Sequence, residues 1–213
     1  MHAAPIHTHP SPREETASAL SHALGLVGAA AAWPAAVDLL PRQPLQLAGF
    51  AVFVLTMALV YLASTVYHAL PQGRAKRWLQ RADHAAIFLF IAGSFTPFAL
   101  HRLDGAISLA AFAGVWALAL GGIVCKARGG LVCRWRSTAL YVGLGWLAAA
   151  AALPVLPVLT PQQVALLLGG GAAYMLGAVF FLMDDRLRYS HLVWHLFVLA
   201  GSGCHFAALL LLH

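Results

Sequence analysis

Charged residues are scarce in this sequence: Asp, Glu, Lys and Arg make up 9% of its 213 residues, whereas hydrophobic residues make up 61%. An average soluble domain has roughly 25% charged residues, so this composition excludes an ordinary soluble fold. Long stretches, such as 45–71 and 137–182, hold no charged residue at all. Because about 20 apolar residues are enough for a helix to cross a bilayer, the composition predicts an integral membrane protein.

Neither the cysteines nor the net charge points to a soluble function. The three cysteines, Cys125, Cys133 and Cys204, cannot all pair, and no two of them have the C-x-x-C spacing of a metal site, so we expect free thiols. The formal net charge is +6, but the basic residues fall in short connectors between apolar runs. That distribution is typical of membrane topology and argues against nucleic acid as a partner.

Apolar runs separated by charge clusters and by Pro or Gly predict an all-α, polytopic bundle of seven transmembrane helices. The first 13 residues are polar and rich in Pro and His, without a recognisable cleavable signal. We therefore expect a mobile N-terminal tail at 1–13 and a single seven-helix domain at 14–213. The approximate spans are 18–38, 46–70, 83–100, 105–125, 137–156, 162–183 and 190–212.

The distribution of Lys and Arg predicts the orientation. Eleven of the 13 basic residues lie in the tail and in the second, fourth and sixth connectors, and only Arg42 and Arg102 lie in the others. By the positive-inside rule, the N-terminus is cytoplasmic. The fourth and sixth connectors are both basic, so the apolar run between them must cross the membrane twice. This favours seven helices over six.

Ionisable residues inside membrane helices are costly and mark function by default. In the predicted topology, helix 2 ends near His68, helix 3 starts near Asp83 and helix 7 starts near Ser190. These positions all lie near the cytoplasmic face of the membrane. The ionisable residues inside a span or at its edge are His22, His68, Asp83, His84, His191, His195 and His205.

Three of these histidines predict a zinc site. His191 and His195 are four residues apart and therefore share one face of helix 7, and His68 of helix 2 completes a set of three. Three histidines with one open position form a catalytic zinc site. Asp83 is then placed to position water or to act as general base. Ser64, one turn before His68, is placed to orient a ligand or substrate.

Each of these residues also has a structural interpretation. The histidine pair of helix 7 would equally serve interhelical hydrogen bonds, and Asp83 would serve as an N-cap or first-turn acid of helix 3. Ser64 would serve helix packing. His205 lies about 15 Å deeper than His195, too far to share a metal, so we expect a buried hydrogen bond there.

Four sequence clusters resemble the hemolysin III branch of the progestin and adipoQ receptor (PAQR) family, from about Glu14 to the C-terminus. The resemblance implies zinc held by His68, His191 and His195 near the cytoplasmic face, with Asp83 holding the catalytic water. It also implies amide hydrolysis of a lipid, since the family includes receptors with ceramidase-like activity, and a location in the bacterial inner membrane. Ser18 departs from the Asn that bacterial members often carry. The clusters are Glu15-x-x-Ser18-x-x-x-His22, Ser64-x-x-x-His68, Asp83-His84-x-x-Ile87 with Gly93-Ser94-Phe95-Thr96-Pro97, and His191-x-x-x-His195.

The leading hypothesis is a zinc-dependent integral membrane hydrolase that acts on a lipid amide or ester at the cytoplasmic membrane face, with membrane lipids as partners. The alternative is a non-enzymatic membrane-homeostasis protein or sensor, in which zinc is a structural clasp between helices 2 and 7. A bis-histidine haem protein is a further alternative. Pore formation is disfavoured because no stripe of charged residues lines the spans. A retinal protein would need a lysine within a span, but Lys76 and Lys126 lie in connectors.

Overall fold

The computed structural model describes residues 10–37 and 43–212, and every regular element in these ranges is a helix. The predicted all-α class is confirmed. A short 3-10 helix, Leu153–Val158, lies between the fifth and sixth α-helices. The seven α-helices are α1 Pro12–Val37, α2 Pro44–Ala69, α3 Arg74–His101, α4 Gly105–Ala127, α5 Arg134–Ala151, α6 Pro161–Leu182 and α7 Ser190–Leu210.

Five of these helices, α2, α3, α4, α6 and α7, are long and apolar enough to cross a membrane. Large apolar side chains such as Ile107, Leu118 and Leu168 are exposed on their outer surfaces, as lipid-facing side chains would be. Helix α5 begins with Arg134 and Arg136, which makes it less apolar. The structure thus supports a membrane protein, while the count of seven spans and the cytoplasmic N-terminus stay predictions.

The long apolar run 137–182 divides into two helices, as the charge pattern of its flanking connectors predicts. Helix α5 ends at Ala151, and Pro154 and Pro157 lie in the 3-10 helix that follows. Thr160 then caps α6: its hydroxyl accepts a hydrogen bond from the backbone N–H of Gln163. Proline cannot donate a backbone hydrogen bond, so this Pro-rich segment ends one helix and the capping box begins the next.

Helix α3 begins at Arg74, nine residues before the predicted span. Asp83 is its tenth residue and Gly73 is its N-cap, so the interpretation of Asp83 as a capping or first-turn acid is wrong. Residues 74–82 are rich in charge, and a hydropathy pattern detects only the apolar part of a helix. The sequence analysis therefore did not include the charged first turns of α3 in the predicted helix.

Close helix contacts hold α2 at the centre of one half of the bundle. Helix α2 packs against α1 and α3, α1 also contacts α7, and α7 packs against α6. A side chain at Gly93 would collide with Thr56, and one at Gly49 would lie 2.9 Å from the backbone of Pro97, so small residues let α2 and α3 approach closely. This arrangement brings the end of α2 beside the beginnings of α1 and α7.

Candidate metal centre

The three predicted histidine ligands meet at one end of the bundle. One ring nitrogen from each of His68, His191 and His195 lies within 4.8 Å of the others. The ring centroids are 4.9 Å apart for His68 and His191, 5.0 Å for His68 and His195, and 4.7 Å for His191 and His195. His68 and His195 are buried and His191 is partly buried. The convergence that the predicted topology requires is therefore present in the structure.

Two of the histidines are oriented by carboxylates. The Nδ1 atom of His68 lies 2.7 Å from Oε2 of Glu15, and the Nδ1 atom of His191 lies 3.2 Å from Oδ2 of Asp184. The second oxygen of Glu15 pairs with Lys76 at 2.9 Å. A carboxylate on the outer nitrogen of an imidazole fixes the ring orientation and raises the basicity of the inner nitrogen.

His195 is oriented by helix α1. Its Nδ1 atom lies 3.2 Å from the backbone oxygen of Ser18 and 3.1 Å from the hydroxyl oxygen of Ser21. The Ser21 hydroxyl donates to the Ser18 backbone oxygen as well. The contact from residue 18 comes from the backbone, so it does not depend on which side chain this position carries.

The Nδ1 atom of each histidine has a hydrogen-bond partner, so the Nε2 atom is the one that each ring can offer to a metal. The Nε2 atom of His68 is buried and has no hydrogen-bond partner within the described ranges. Buried polar atoms are normally satisfied, so this orphan points to a missing partner. Three imidazole nitrogens with hydrogen-bonded outer atoms are the donor set that zinc takes in catalytic sites. The residues present therefore fit a zinc ion.

Asp83 and Ser64 are both buried beside this centre but do not belong to the three-nitrogen group. Ser64 stands one turn before His68 on α2, and its hydroxyl oxygen has no hydrogen-bond partner in the part of the chain that the structure describes. Asp83 stands on α3, which packs closely against α2. The roles assigned to Asp83 and Ser64 from the sequence stay predictions.

Of the remaining histidines, two have clear surroundings. The ring of His22 stacks on that of His195, with centroids 3.7 Å apart and an interplanar angle of 10°. The spacing of the sequence gave no sign of this contact. The Nε2 atom of His205 is 3.2 Å from the backbone oxygen of Leu167, which confirms the predicted hydrogen bond, although the residue is half-buried and not fully buried.

A cavity of about 380 Å³ opens beside the histidines. Its size falls within the usual range for small-ligand sites, roughly 300–1,000 Å³. His68 and His191 line it directly, together with polar and charged side chains from several helices. Those side chains include Glu15, Tyr67, Lys76, Arg77, Gln80, His84, Lys126, Arg134, Ser137, Asp184 and Asp185.

Electrostatics keep two acids near the cavity ionised. Hydrogen bonds from Ser11 and from the backbone N–H of Tyr189 lower the pKa of Glu14 to about 2. For Asp184, burial raises the pKa, but the hydrogen bond with His191 and the charge of nearby Arg134 outweigh burial and bring it below the usual range. Both carboxylates therefore carry a charge at neutral pH.

Sequence reasoning missed the residues that support the metal ligands. Glu15 appears in the helix 1 motif without a role, and Asp184 and Ser21 were not singled out. A signal was available: Glu15 is an acid at the beginning of a predicted apolar helix, and Asp184 lies in the short connector before the helix that carries two of the candidate ligands. Such acids are candidates for orienting histidines near a membrane face.

The apolar helices and the buried histidine cluster define an integral membrane protein with a candidate metal centre. The family described as "Haemolysin-III related" matches residues 11–206. The chain therefore belongs to the hemolysin III family, which is part of the PAQR family. Its bacterial relatives and its apolar helices identify an integral protein of the bacterial plasma membrane.

Three curated relatives illustrate the breadth of the similarity. Hemolysin-3 of Bacillus cereus is 37% identical over 203 residues, which cover 93% of this chain and 91% of that protein. The hemolysin-3 homolog of Bacillus subtilis (strain 168) is 34% identical over 203 residues, or 93% of each chain. The human monocyte to macrophage differentiation factor is 24% identical over 163 residues, covering 74% of this chain and 67% of that protein.

Proposed function

We propose that this protein is a zinc-dependent membrane hydrolase that acts on a lipid amide or ester at the cytoplasmic membrane face. One observation carries the proposal: three buried or half-buried histidines have hydrogen-bond partners on their Nδ1 atoms, so that each can offer its Nε2 atom to a metal, beside a cavity of about 380 Å³. The residues that would hold the zinc ion are His68, His191 and His195. When bound, zinc would supply a Lewis acid for a carbonyl group and lower the pKa of a water molecule.

The surrounding residues have separate tasks in this proposal. Glu15 and Asp184 hold the rings of His68 and His191 in place, so that little reorganisation is needed on metal binding. The cavity admits the polar end of a lipid, and the helices around it keep bulk water from the reacting carbonyl. His195, which is almost fully buried, anchors the centre to the interior of the bundle.

Asp83 and Ser64 would handle the proton. In this hypothesis a carboxylate oxygen of Asp83 accepts a proton from the attacking water and passes it to the leaving amine or alcohol. The Ser64 hydroxyl, which has no other hydrogen-bond partner in the described ranges, would donate a hydrogen bond that orients Asp83 or the substrate. The burial of both side chains keeps such hydrogen bonds from competing with bulk water.

Metal content and turnover test the proposal. The wild type, a variant with His68, His191 and His195 all changed to Ala, and a matched control, His205→Ala, are purified in detergent. His205 is a half-buried histidine on the same helix as two of the candidate ligands, but its Nε2 atom contacts a backbone oxygen instead. We expect about one zinc per chain in the wild type and the control and almost none in the triple variant. We also expect the wild type and the control to hydrolyse a fluorescent short-chain ceramide, or its ester analogue, in a zinc-dependent reaction. Zinc retained by the triple variant would refute the site.

A structural zinc clasp is the second candidate function. The ligands come from α2 and α7, and His195 is nearly inaccessible and does not line the cavity. If the zinc is a clasp, its removal by a chelator should lower the melting temperature, and the protein should show no turnover with or without zinc. A hydrolase would lose turnover at chelator concentrations that leave the helical circular dichroism signal intact.

A further inference from the structure

Lys126 is a buried cation without an ion-pair partner in the ranges that the structure describes. It stands in the last turn of α4, where its neighbours Cys125 and Arg128 are exposed, yet it is only 5% exposed. Its ammonium donates to the backbone oxygen of Leu131 at 2.7 Å and to the hydroxyl oxygen of Ser137 at 2.8 Å. These contacts use two of its three N–H donors. Across the described ranges no carboxylate pairs with it, although buried lysines are normally paired.

The contrast with the other lysine of the chain is informative. Lys76 is equally buried and lines the same cavity, but it forms an ion pair with Glu15 at 2.9 Å. The acids around the cavity are already engaged: Glu15 contacts His68 and Lys76, and Asp184 contacts His191 and Arg134. Lys126 therefore lines the cavity without an ion-pair partner among the described residues.

Lys126 belongs to a wall of the cavity that carries no predicted metal ligand. Its partners there are His84 of α3 and Ser137 of α5, whereas the three metal-binding histidines belong to α2 and α7. The wall is held in place from behind, because the hydroxyl of Tyr141 donates to the backbone oxygen of His84 at 2.9 Å. An ammonium with a free N–H donor, a hydroxyl that donates to the Leu131 backbone oxygen and an imidazole thus line a cavity that His68 and His191 line as well.

We propose that this wall binds the phosphate group of a lipid ligand, with the Lys126 ammonium as its principal contact. Lysine is a common point-charge partner for phosphate, and a phosphate oxygen would satisfy both the third N–H donor and the buried charge. The cavity opens at the end of the bundle that carries the basic connectors, which is the predicted depth of lipid headgroups. The suggestion that the bound phospholipid is a substrate rests on the proposed hydrolase, whereas its binding to Lys126 does not require turnover.

Lys126 also has a purely structural contact, which the test must separate from ligand binding. The backbone of Leu131 is left-handed, with φ of 55°, and the Lys126 ammonium bonds its oxygen in the tight α4–α5 connector. A structural role alone would make a Lys126 variant less stable. It would not make the protein distinguish a phosphorylated lipid from the same lipid without phosphate.

The experiment compares two lipids that differ by one phosphate. Dissociation constants for dioctanoyl phosphatidic acid and dioctanoylglycerol are measured for the wild type, for Lys126→Gln and for the control Arg128→Gln. Arg128 is exposed in the same connector and is not part of the cavity lining. We expect the wild type and the control to prefer phosphatidic acid by roughly tenfold or more, as charge-assisted contacts do, and Lys126→Gln to lose that preference. Equal affinity for the two lipids in the wild type, or an unchanged preference in Lys126→Gln, would overturn the proposal.

Lysine acetylation provides a readout that does not depend on the folding of a variant. The only lysines are Lys76 and Lys126, so mass spectrometry of the wild type reports both. Phosphatidic acid should slow acetylation of Lys126 several-fold more than dioctanoylglycerol does, and equal Lys126 rates with the two lipids would contradict the proposal. If inorganic phosphate at the same concentration protects Lys126 from acetylation equally well, free phosphate is the ligand. That result would overturn the proposal that the ligand is a lipid.

A chelator separates this proposal from the hydrolase. Wild-type protein treated with EDTA should bind phosphatidic acid as before, since the wall uses none of the three metal-binding histidines. Loss of binding on metal removal would place the phosphate at the metal centre and overturn the proposal. A phosphate preference that depends on Lys126, in a protein with no turnover of any lipid, would leave this proposal standing and refute only the hydrolase.

Discussion

The Nδ1 atom of His68 lies 2.7 Å from Oε2 of Glu15, and 53 residues separate the two in sequence. The contact joins α1 to the end of α2, and it leaves the Nε2 atom of His68 as a buried atom without a partner within the described ranges. If His68 holds a metal, Glu15 governs the orientation and basicity of that ligand.

We therefore expect Glu15→Ala to weaken zinc binding by about 10- to 100-fold, the usual effect of removing a carboxylate that orients a histidine ligand. Zinc affinity is measured by competition with a chromophoric chelator. Glu14→Ala is the matched control, because Glu14 bonds the backbone N–H of Tyr189 and no histidine. An unchanged zinc affinity in Glu15→Ala, at a normal melting temperature, would show that Glu15 does not support a zinc ligand.

Glu14 itself predicts a dependence of stability on pH. Its pKa is lowered from 4.5 to about 2 in the folded protein, so its contribution is present above pH 4.5 and is lost as the pH falls toward 2. We expect Glu14→Gln to have a lower melting temperature than the wild type at pH 6, with the difference shrinking steadily below pH 4. Since Glu14 is only partly buried, the effect at pH 6 should be small. A difference that is the same at pH 6 and pH 3 would contradict the assigned contacts.

The close approach of α2 and α3 predicts a steric effect at Gly93. A Cβ atom at this position would lie 2.7 Å from Cβ of Thr56, in the interior of the bundle. We expect Gly93→Ala to lower the free energy of unfolding by about 1–3 kcal/mol, the usual cost of overpacking. Gly114→Ala on α4 is the control, because a Cβ atom there would meet nothing within 4 Å. The melting temperatures of the two variants are compared by thermal unfolding in detergent. Equal values would show that α2 and α3 are farther apart than the structure indicates.

Hydropathy and charge were sufficient to predict the helices and the meeting of three histidines. Each apolar run must cross the bilayer, so the charge pattern predicts the depth of every residue in a helix. His68, His191 and His195 could therefore be placed near the same membrane face from the sequence. The same argument failed for the beginning of α3. Residues 74–82 are helical but charged, and no membrane constraint marks them in the sequence.

The supporting contacts required the structure. Nothing in the sequence spacing shows that the His22 ring stacks on His195, or that Asp184 contacts His191 across the turn before α7. These contacts depend on how α1 and α7 rotate about their own axes, which lateral packing sets and hydropathy does not. The buried charge of Lys126 was hidden for a similar reason, because a lysine in a predicted connector is expected to be exposed.

The role of Asp83 gives the sharpest separation between a hydrolase and a structural zinc protein. Asp83 is buried on α3 and does not belong to the three-nitrogen group, so we expect Asp83→Ala to keep its zinc. We expect its turnover to fall by at least about 100-fold, as is typical when a general base is removed. Zinc content and hydrolysis of the short-chain ceramide are measured on the same preparation, beside the control Asp185→Ala, whose carboxylate pairs with Arg134. Loss of zinc in Asp83→Ala would make Asp83 a ligand or a support for one. Full turnover would remove Asp83 from the mechanism, whereas zinc retained without turnover would give it the role of moving the proton.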